Sequence, residues 1–243
     1  MTERLSTGQH RLDDVRANYE TIVENIAKAA QRSGRKPEDI TFLAATKTVE
    51  PAVINYAVSL GLKHIGENKV QELLSKYEEY DLQNCDLQFI GHLQTNKVRQ
   101  IIDKVSMIQS VDSEKLAAEI AKQSVKNGIV SNVLIEVNIG REENKSGVLA
   151  EELGELIGRV SEMPNIRIRG LMTIPPVCKE KMEVCKFFDK MYQLFIDFSC
   201  KKSDNVCMDY LSMGMSDDYE EAVLSGANMV RVGSRLFGQR IYR

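Results

Sequence analysis

The sequence predicts an α/β fold: a single domain, residues 1–243, in which eight parallel strands close into a (β/α)8 (TIM) barrel behind an extra N-terminal helix. Short apolar runs alternate with amphipathic stretches along the chain, which is typical of βαβ units with a parallel sheet. Eight such units in 243 residues favour closure into a barrel. No linker or low-complexity run divides the chain. An open, doubly wound sheet is the alternative, since spacing alone does not distinguish the two.

The first predicted element is a helix that precedes the barrel. Its apolar residues recur at spacings of three and four and form one stripe, which comprises Leu12, Val15, Tyr19, Ile22, Val23, Ile26 and Ala30. Gly34 ends this helix, and Pro37 prevents its resumption.

The barrel itself is predicted from the pattern that follows. The apolar runs predicted as strands are residues 40–46, 63–66, 87–91, 106–110, 132–138, 166–173, 208–213 and 229–232. The helices predicted between them are residues 51–60, 68–79, 96–104, 113–127, 149–161, 179–200 and 217–225. Ser113 is a predicted N-cap. After the eighth strand we expect only a short tail to Arg243.

Composition narrows the functional classes. The net charge of −3 argues against nucleic acid as the main partner, because phosphate backbones require a concentrated basic surface. The cysteines form no CxxC pair and no cluster with metal-site spacing, and they are expected to be reduced thiols, at positions Cys85, Cys178, Cys185, Cys200 and Cys207. No apolar run is long enough to span a membrane. These features predict a cytoplasmic protein without metal or membrane.

Functional residues are expected where the strands end, because active sites of such barrels lie at the carboxyl ends of the strands. The polar or otherwise distinctive residues at these positions are Lys47, Glu67, Asn68, His92, Asn96, Asn138, Met172, Thr173, Ser212–Ser216, Arg231, Gly233 and Ser234.

Lys47 is the most informative of these residues. It follows the apolar run FLAA and has no acidic neighbour closer than Glu50. An amine at a largely apolar rim loses hydration, which is expected to lower its pKa and favour attack on a carbonyl. Lys47 is therefore a candidate for Schiff-base formation. The alternative is a rim lysine paired with a carboxylate such as Glu67.

Two segments near the end of the chain predict a phosphate site. SMGMS (212–216) and RVGSRLFG (231–238) place Gly and Ser where a strand turns into a helix. Glycine allows close backbone approach to an anion, and free N–H groups and hydroxyls bind its oxygens. In barrels, the loops after strands seven and eight frequently bind phosphate. With Lys47 opposite, the pattern suggests a phosphorylated aldehyde that spans the barrel mouth.

Ordered motifs identify a family resemblance along nearly the whole chain. They are AATKTVEP (44–51), HIGENKVQE (64–72), FIGHLQTNK (89–97), NKSGV (144–148), RGLMTI (169–174), LSMGMSDDYEEAV (211–223) and RVGSRLFG (231–238). In this order they closely resemble the pyridoxal phosphate homeostasis protein family. The resemblance implies a barrel like the N-terminal domain of alanine racemase, with pyridoxal 5′-phosphate (PLP) as the cofactor.

The resemblance also implies residue roles. Lys47 corresponds to the Schiff-base lysine, Ser216 and Gly233–Ser234 to phosphate ligands, and Arg231 to the neighbour of the pyridine nitrogen. The full set of cofactor-binding residues expected is Lys47, Asn68, His92, Met172, Ser212, Met215, Ser216, Arg231, Gly233 and Ser234. No residue is assigned a catalytic role.

Several of these residues have ordinary structural alternatives. Met172 fits a core position, Asn68 a helix cap, and His92 a strand-end histidine bonded to backbone. Arg231 could pair with a rim carboxylate such as Glu136.

Lys145 matches a second family lysine, in the loop after strand five. It either captures or passes PLP, or is a solvated loop residue.

The resemblance leaves a carrier and an enzyme as alternatives. A cationic guanidinium at the ring nitrogen disfavours its protonation, so carbanion stabilisation is weak. The chain ends shortly after Arg231, so we expect the C-terminal racemase domain, and with it a second catalytic base, to be absent. The expectation is a monomeric PLP carrier with little or no catalysis, and with PLP-dependent apoenzymes as further partners. The alternative is an amino-acid racemase; an aldolase fits poorly.

Overall fold

The computed structural model describes residues 2–199 and 204–238, with side chains from residue 11 onward. Its eight strands are β1 (Thr41–Ala45), β2 (His64–Glu67), β3 (Asp86–Phe89), β4 (Met107–Val111), β5 (Ser131–Glu136), β6 (Ile166–Met172), β7 (Val206–Ser212) and β8 (Met229–Val232). They pair in chain order, all in parallel. The first and last strands also pair, from Thr41 opposite Met229 to Ala44 opposite Val232. The barrel is therefore closed, and the open sheet is wrong.

Helices precede, separate and follow the strands. They are α1 (Thr2–Arg32), α2 (Pro51–Ser59), α3 (Val70–Lys76), α4 (Glu114–Asn127), α5 (Leu153–Ser161), α6 (Lys181–Ser199), α7 (Tyr219–Leu224) and α8 (Ser234–Phe237). Short 3-10 helices occupy Pro37–Asp39, Tyr77–Glu79 and Thr95–Gln100. The predicted N-cap of α4 is confirmed, because Ser113 Oγ accepts a hydrogen bond from Leu116 N at 3.4 Å. Among the described residues, no helix is both long and apolar enough to span a membrane.

Some predicted elements differ from the structure. The segment predicted as a helix over 96–104 is the 3-10 helix Thr95–Gln100, since an apolar spacing of three suits either kind of helix. Helix α5 begins at Leu153, four residues later than predicted. The expectation of an unfolded tail after the eighth strand is wrong, because α8 follows β8 directly. Cys200, at the predicted end of α6, and residues 239–243 of the predicted tail lie outside the described residues.

Helix α1 is the predicted extra helix in front of the barrel. Val15, Ile22 and Ile26 are buried on the apolar stripe expected from the sequence. Two of its polar residues contact the last two helices: Asn18 Nδ2 donates to the backbone carbonyl of Leu236 at 3.1 Å. Asn25 Nδ2 donates to the hydroxyl of Tyr219 at 3.0 Å. Helix α1 therefore packs against the part of the barrel where α7 and α8 lie.

Residues of each strand alternate between two layers, as the pleat of a barrel strand requires. One set packs against the helices in the main core, for example Ala44, Ile65, Phe89, Ile108 and Val133. The other set points into the barrel lumen. The apolar lumen residues form two small separate clusters, one of Leu43, Ala45 and Ile90 and one of Met107, Leu134 and Met172. Between them lie buried polar residues, which are Gln88, Gln109, Ser212 and Arg231. The lumen is thus part apolar core and part polar network.

Candidate functional site

The turn that carries Lys47 follows β1 directly and is held on both sides by carboxylates. On one side, the hydroxyl of Thr46 donates to Glu67 Oε1 at 2.8 Å. On the other, the backbone N–H of Thr48 donates to the carboxylate of Glu72. Thr48 has a φ of +64°, a left-handed conformation that is rare for a β-branched residue and needs support from its surroundings. These bonds fix the backbone at Lys47.

Glu67 is the centre of that support. Its side chain is fully buried, and its Oε1 also accepts from the hydroxyl of Tyr80 at 2.7 Å. Lys76 Nζ lies 3.0 Å from the same oxygen and 2.6 Å from Glu72 Oε1. Burial, together with the charge of Glu67, raises the pKa of Tyr80. The sequence suggested Glu67 as a partner for Lys47; the structure shows that Lys76 balances its charge.

Arg231 and Ser212 are brought together by the structure. Nη1 of the buried Arg231 donates to Ser212 Oγ at 2.6 Å, and Nη2 donates to the carbonyl of Thr173 at 2.9 Å. Burial lowers the pKa of Arg231 to about 10, against the opposing effects of the Glu136 and Asp218 carboxylates. The guanidinium is therefore cationic at neutral pH. Its hydrogen bonds go to neutral acceptors, while Glu136 acts on it through charge.

Glu136 ends β5, which lies four strands from β1 and thus across the barrel from the Lys47 turn. Burial and, to a smaller extent, the charge of Asp112 raise the pKa of Glu136 to about 7, against the opposing effect of Arg231. The sequence had suggested Glu136 only as a partner for Arg231. The structure makes it a buried carboxyl that titrates near neutral pH.

The two Gly- and Ser-containing segments contact each other and together form what is called the turn of Ser216 and Gly233. Ser216 Oγ accepts from the backbone N–H of Gly233 at 3.2 Å and from that of Arg235 at 3.3 Å. A Cβ atom at Gly233 would lie 3.1 Å from the carbonyl oxygen of Ala45. Closure of the barrel therefore places this turn beside β1, whereas the sequence analysis placed Lys47 opposite it. Ser234 is exposed, and the N–H of Arg235, which the sequence analysis did not single out, reaches Ser216.

Three further predicted site residues have distinct surroundings. Met172 is fully buried in the lumen cluster with Met107 and Leu134. Asn68 is not a helix cap, because Lys69 occupies the N-cap of α3 and no side chain caps it. The Asn68 Oδ1 atom is buried and has no hydrogen-bond partner among the described residues. Met215, by contrast, is exposed.

His92 and Lys145 make side-chain contacts across loops at the barrel mouth. His92 Nδ1 lies 3.1 Å from Ser146 Oγ and 3.6 Å from Asp112 Oδ2, so its partners are side chains and not the backbone of the structural alternative. Lys145 Nζ donates to the carbonyl of Pro175 at 3.2 Å and lies 2.5 Å from Glu142 Oε2. Lys145 is thus a partly exposed loop residue that is held by these two contacts.

Comparison with known proteins identifies the family. A model of the alanine racemase N-terminal domain matches residues 17–241. A pyridoxal phosphate homeostasis protein of Aquifex aeolicus is 46% identical over 221 residues, which cover 91% of this chain and 96% of that protein. The chain belongs to the pyridoxal phosphate homeostasis protein family. A family member of Escherichia coli is 37% identical over 95% of this chain and 99% of its own.

A solved structure supports the same assignment to the pyridoxal phosphate homeostasis protein family. PipY of Synechococcus elongatus, solved with PLP bound, is 30% identical to this chain and superposes with a TM-score of 0.76. The match covers 88% of this chain and all of PipY. Within the described residues, no group of three His, Cys, Asp or Glu side chains is arranged to hold a metal ion.

Proposed function

We propose that this chain carries PLP as a Schiff base on Lys47, acts in intracellular PLP homeostasis in the cytoplasm, and has little or no catalytic activity. The cofactor-binding residues proposed are Lys47, Asn68, His92, Met172, Ser212, Met215, Ser216, Arg231, Gly233 and Ser234. The proposal treats residues 1–243 as one PLP-binding domain. Partners proposed beyond PLP are PLP-dependent apoenzymes, and the proposed state is a monomer.

One observation carries the proposal: the turn of Ser216 and Gly233 packs against β1 two residues before Lys47. Ser216 Oγ accepts from the backbone N–H groups of Gly233 and Arg235, so the proton of its hydroxyl is available to donate to a phosphate oxygen. Lys47 itself follows the end of β1 by two residues, and β1 is the strand next to this turn. A ligand with a phosphate and an aldehyde a short distance apart satisfies both features.

The residues around this turn fit such a cofactor. A Cβ atom at Gly233 would lie 3.1 Å from the carbonyl oxygen of Ala45, so glycine allows this turn to pack closely on the strand that precedes Lys47. The buried Oδ1 of Asn68 has no partner among the described residues and can accept a hydrogen bond from a bound polar group. Both features are what a polar ligand at the barrel mouth requires.

Arg231 supports binding over catalysis. When bound, PLP supplies an electron sink that is strong only if its ring nitrogen is protonated. A guanidinium beside that nitrogen opposes protonation, because it adds a second positive charge at short range. Arg231 remains cationic and is fixed by Ser212 and Thr173. The family names of the relatives, and the PLP bound to PipY, support the same function.

The first test is covalent capture of the cofactor. The ε-amine of Lys47 condenses with the PLP aldehyde and releases water, and borohydride reduces the resulting double bond to a stable secondary amine. We expect wild-type protein reconstituted with PLP to absorb visible light and to yield, after reduction, a PLP-labelled peptide containing Lys47. Lys47→Ala should stay colourless, whereas the matched control Lys145→Ala should keep its colour. A wild type that cannot be reconstituted would refute the proposal.

The second test separates a carrier from a racemase. Holo protein is incubated with L- and D-alanine in deuterium oxide, and exchange of the α-proton is followed by NMR. We expect no exchange beyond that of free PLP at the same concentration. Rapid exchange with interconversion of the two enantiomers would establish the racemase instead.

A further inference from the structure

A chain of side-chain hydrogen bonds runs through the barrel lumen away from Arg231. Ser212 Oγ, which accepts from Arg231, donates to Gln109 Oε1 at 2.7 Å. Gln109 Nε2 donates to Gln88 Oε1 at 2.6 Å, and Gln88 Nε2 donates to Asp86 Oδ2 at 2.8 Å. This series of hydrogen bonds begins on β8, passes through residues of β7 and β4, and ends on β3, at the first residue of that strand.

The direction of every bond in this chain is determined by its two charged ends. Arg231 can only donate, and the carboxylate of Asp86 can only accept. Each amide between them therefore presents its oxygen toward Arg231 and its nitrogen toward Asp86. Burial opposes ionisation of Asp86, but hydrogen bonds from His64, Ser106 and Gln88 lower its pKa, so it remains a carboxylate. Hydrogen bonds aligned in this way polarise one another in a low-dielectric interior.

Gln109 is the central member of the chain. Its side chain is fully buried, and its oxygen accepts the Ser212 proton, which leaves a lone pair of Ser212 for Arg231. If the amide were reversed, its nitrogen and Arg231 would both donate to Ser212 Oγ, and the Ser212 proton would lose its acceptor. The anchor that prevents this reversal lies at the other end of the barrel, where Asp86 accepts from Gln88.

We propose that Gln109 is a positioning residue for the cofactor site: it fixes the Ser212 hydroxyl that holds Arg231, and Asp86 fixes the orientation of Gln109. The inference rests on the proposed function, since it takes Arg231 as a neighbour of the bound PLP ring. It assigns a role in cofactor binding to residues that lie below the site and do not touch the cofactor. Loss of these hydrogen bonds should therefore change both the affinity for PLP and the visible spectrum of the bound cofactor.

The experiment compares PLP affinity and absorption maximum in wild-type and variant holo proteins. Gln109→Met retains the size of the side chain and removes the amide. We expect its dissociation constant for PLP to rise about ten-fold, the effect of losing a hydrogen bond that supports a charged group, with a displaced visible maximum. The control Gln123→Met removes an amide of α4 that bonds within its own helix to Glu119. It should change neither quantity.

A second pair of variants, at Asp86, tests the other end of the series of hydrogen bonds and remains informative if Gln109→Met does not fold. Asp86→Asn retains an oxygen acceptor for Gln88, whereas Asp86→Leu removes it. We expect Asp86→Leu to move affinity and spectrum in the direction of Gln109→Met and Asp86→Asn to restore them. Unchanged affinity and spectrum in Asp86→Leu would overturn the proposal while wild type still bound PLP. A wild type without PLP would overturn the proposed function itself.

Discussion

The ammonium group of Lys76 lies 3.0 Å from Oε1 of Glu67, whose side chain is fully buried at the end of β2. Lys76 Nζ also donates to the carbonyl of Thr46 at 3.1 Å. One cation thus neutralises the carboxylate and holds the residue that precedes Lys47. This ion pair therefore stabilises the barrel and also helps to position the proposed Schiff-base lysine.

Replacement of Lys76 by Met should destabilise the PLP-free protein by about 3–5 kcal/mol, because it leaves a buried carboxylate without its counter-charge. Urea unfolding followed by circular dichroism measures this. The double variant Lys76→Met, Glu67→Leu should recover much of the loss, since it removes the unpaired charge as well. Lys28→Met, which breaks the exposed ion pair with Glu24 on α1, is the control and should cost less than about 1 kcal/mol. Equal losses in the two single variants would contradict this account.

Glu136 should make stability depend on pH. Its pKa of about 7 in the folded protein exceeds the ordinary value of 4.5, so the folded state holds the proton more tightly than the unfolded state. The resulting stabilisation is complete below pH 4.5 and is lost as the pH rises through about 7. Glu136→Gln has no ionisable group at this position, so it cannot lose this stabilisation as the pH rises. We expect this variant to exceed wild type by about 3 kcal/mol at pH 8, with little difference near pH 4.5.

The measurement is urea unfolding of both PLP-free proteins between pH 4.5 and 8, the interval that the two pKa values span. Glu143→Gln, at an exposed position of the loop after β5, is the control and should leave the pH profile as in wild type. A constant difference between Glu136→Gln and wild type across this interval would show that folding does not raise the pKa of Glu136, and would contradict the prediction.

Ser216 should contribute to PLP affinity through the phosphate. Removal of its hydroxyl in Ser216→Ala takes away one hydrogen bond to a charged group, so the dissociation constant for PLP should rise about ten-fold. Pyridoxal, which has the aldehyde but no phosphate, should bind wild type and variant with equal affinity. Fluorescence titration of both ligands distinguishes the two cases. A parallel loss of pyridoxal binding would place the role of Ser216 elsewhere than at the phosphate.

Gly91 should be required at its position after β3. A Cβ atom there would lie 2.1 Å from the carbonyl oxygen of Asn68, too close for any backbone to tolerate. Gly91→Ala should therefore displace Asn68, weaken PLP binding and lower stability by about 1–3 kcal/mol. Gly158→Ala is the matched control within α5, where a Cβ atom meets nothing within 4 Å. It should stabilise the protein by about 0.5–1 kcal/mol. Thermal unfolding and PLP titration of both variants test this.

The barrel could be predicted from the sequence because its pattern is regular. Each strand is a short apolar run between amphipathic stretches, and all eight occur at the predicted places. Closure needed the pairing of Thr41–Ala44 with Met229–Val232, which joins residues nearly 190 positions apart. Helix α8 was missed because four residues provide too little periodicity for any helical pattern.

The site could be predicted only in part. Lys47, Ser216 and Gly233 have residue types and positions that indicate the proposed chemistry, whereas the proposed role of Arg231 follows from the family resemblance. Lys76 was missed because its partner Glu67 lies on another element, although its spacing of four from Glu72 is typical of a helical ion pair.

Gln109 was missed for a different reason. In the run SMIQS it looks like one polar residue in a buried strand, and its partners Gln88 and Ser212 come from elements distant in sequence.

The polar lumen also has a consequence for how the chain assembles. If β4 paired with its neighbours one residue out of register, Gln109 would face the helices and Ile108 would face the lumen. An apolar lumen would tolerate such an error with little penalty, whereas here the slip would bury amide and hydroxyl groups without partners. The hydrogen bonds from Arg231 to Asp86 thus select one alignment of strands among the many that close an eight-stranded barrel.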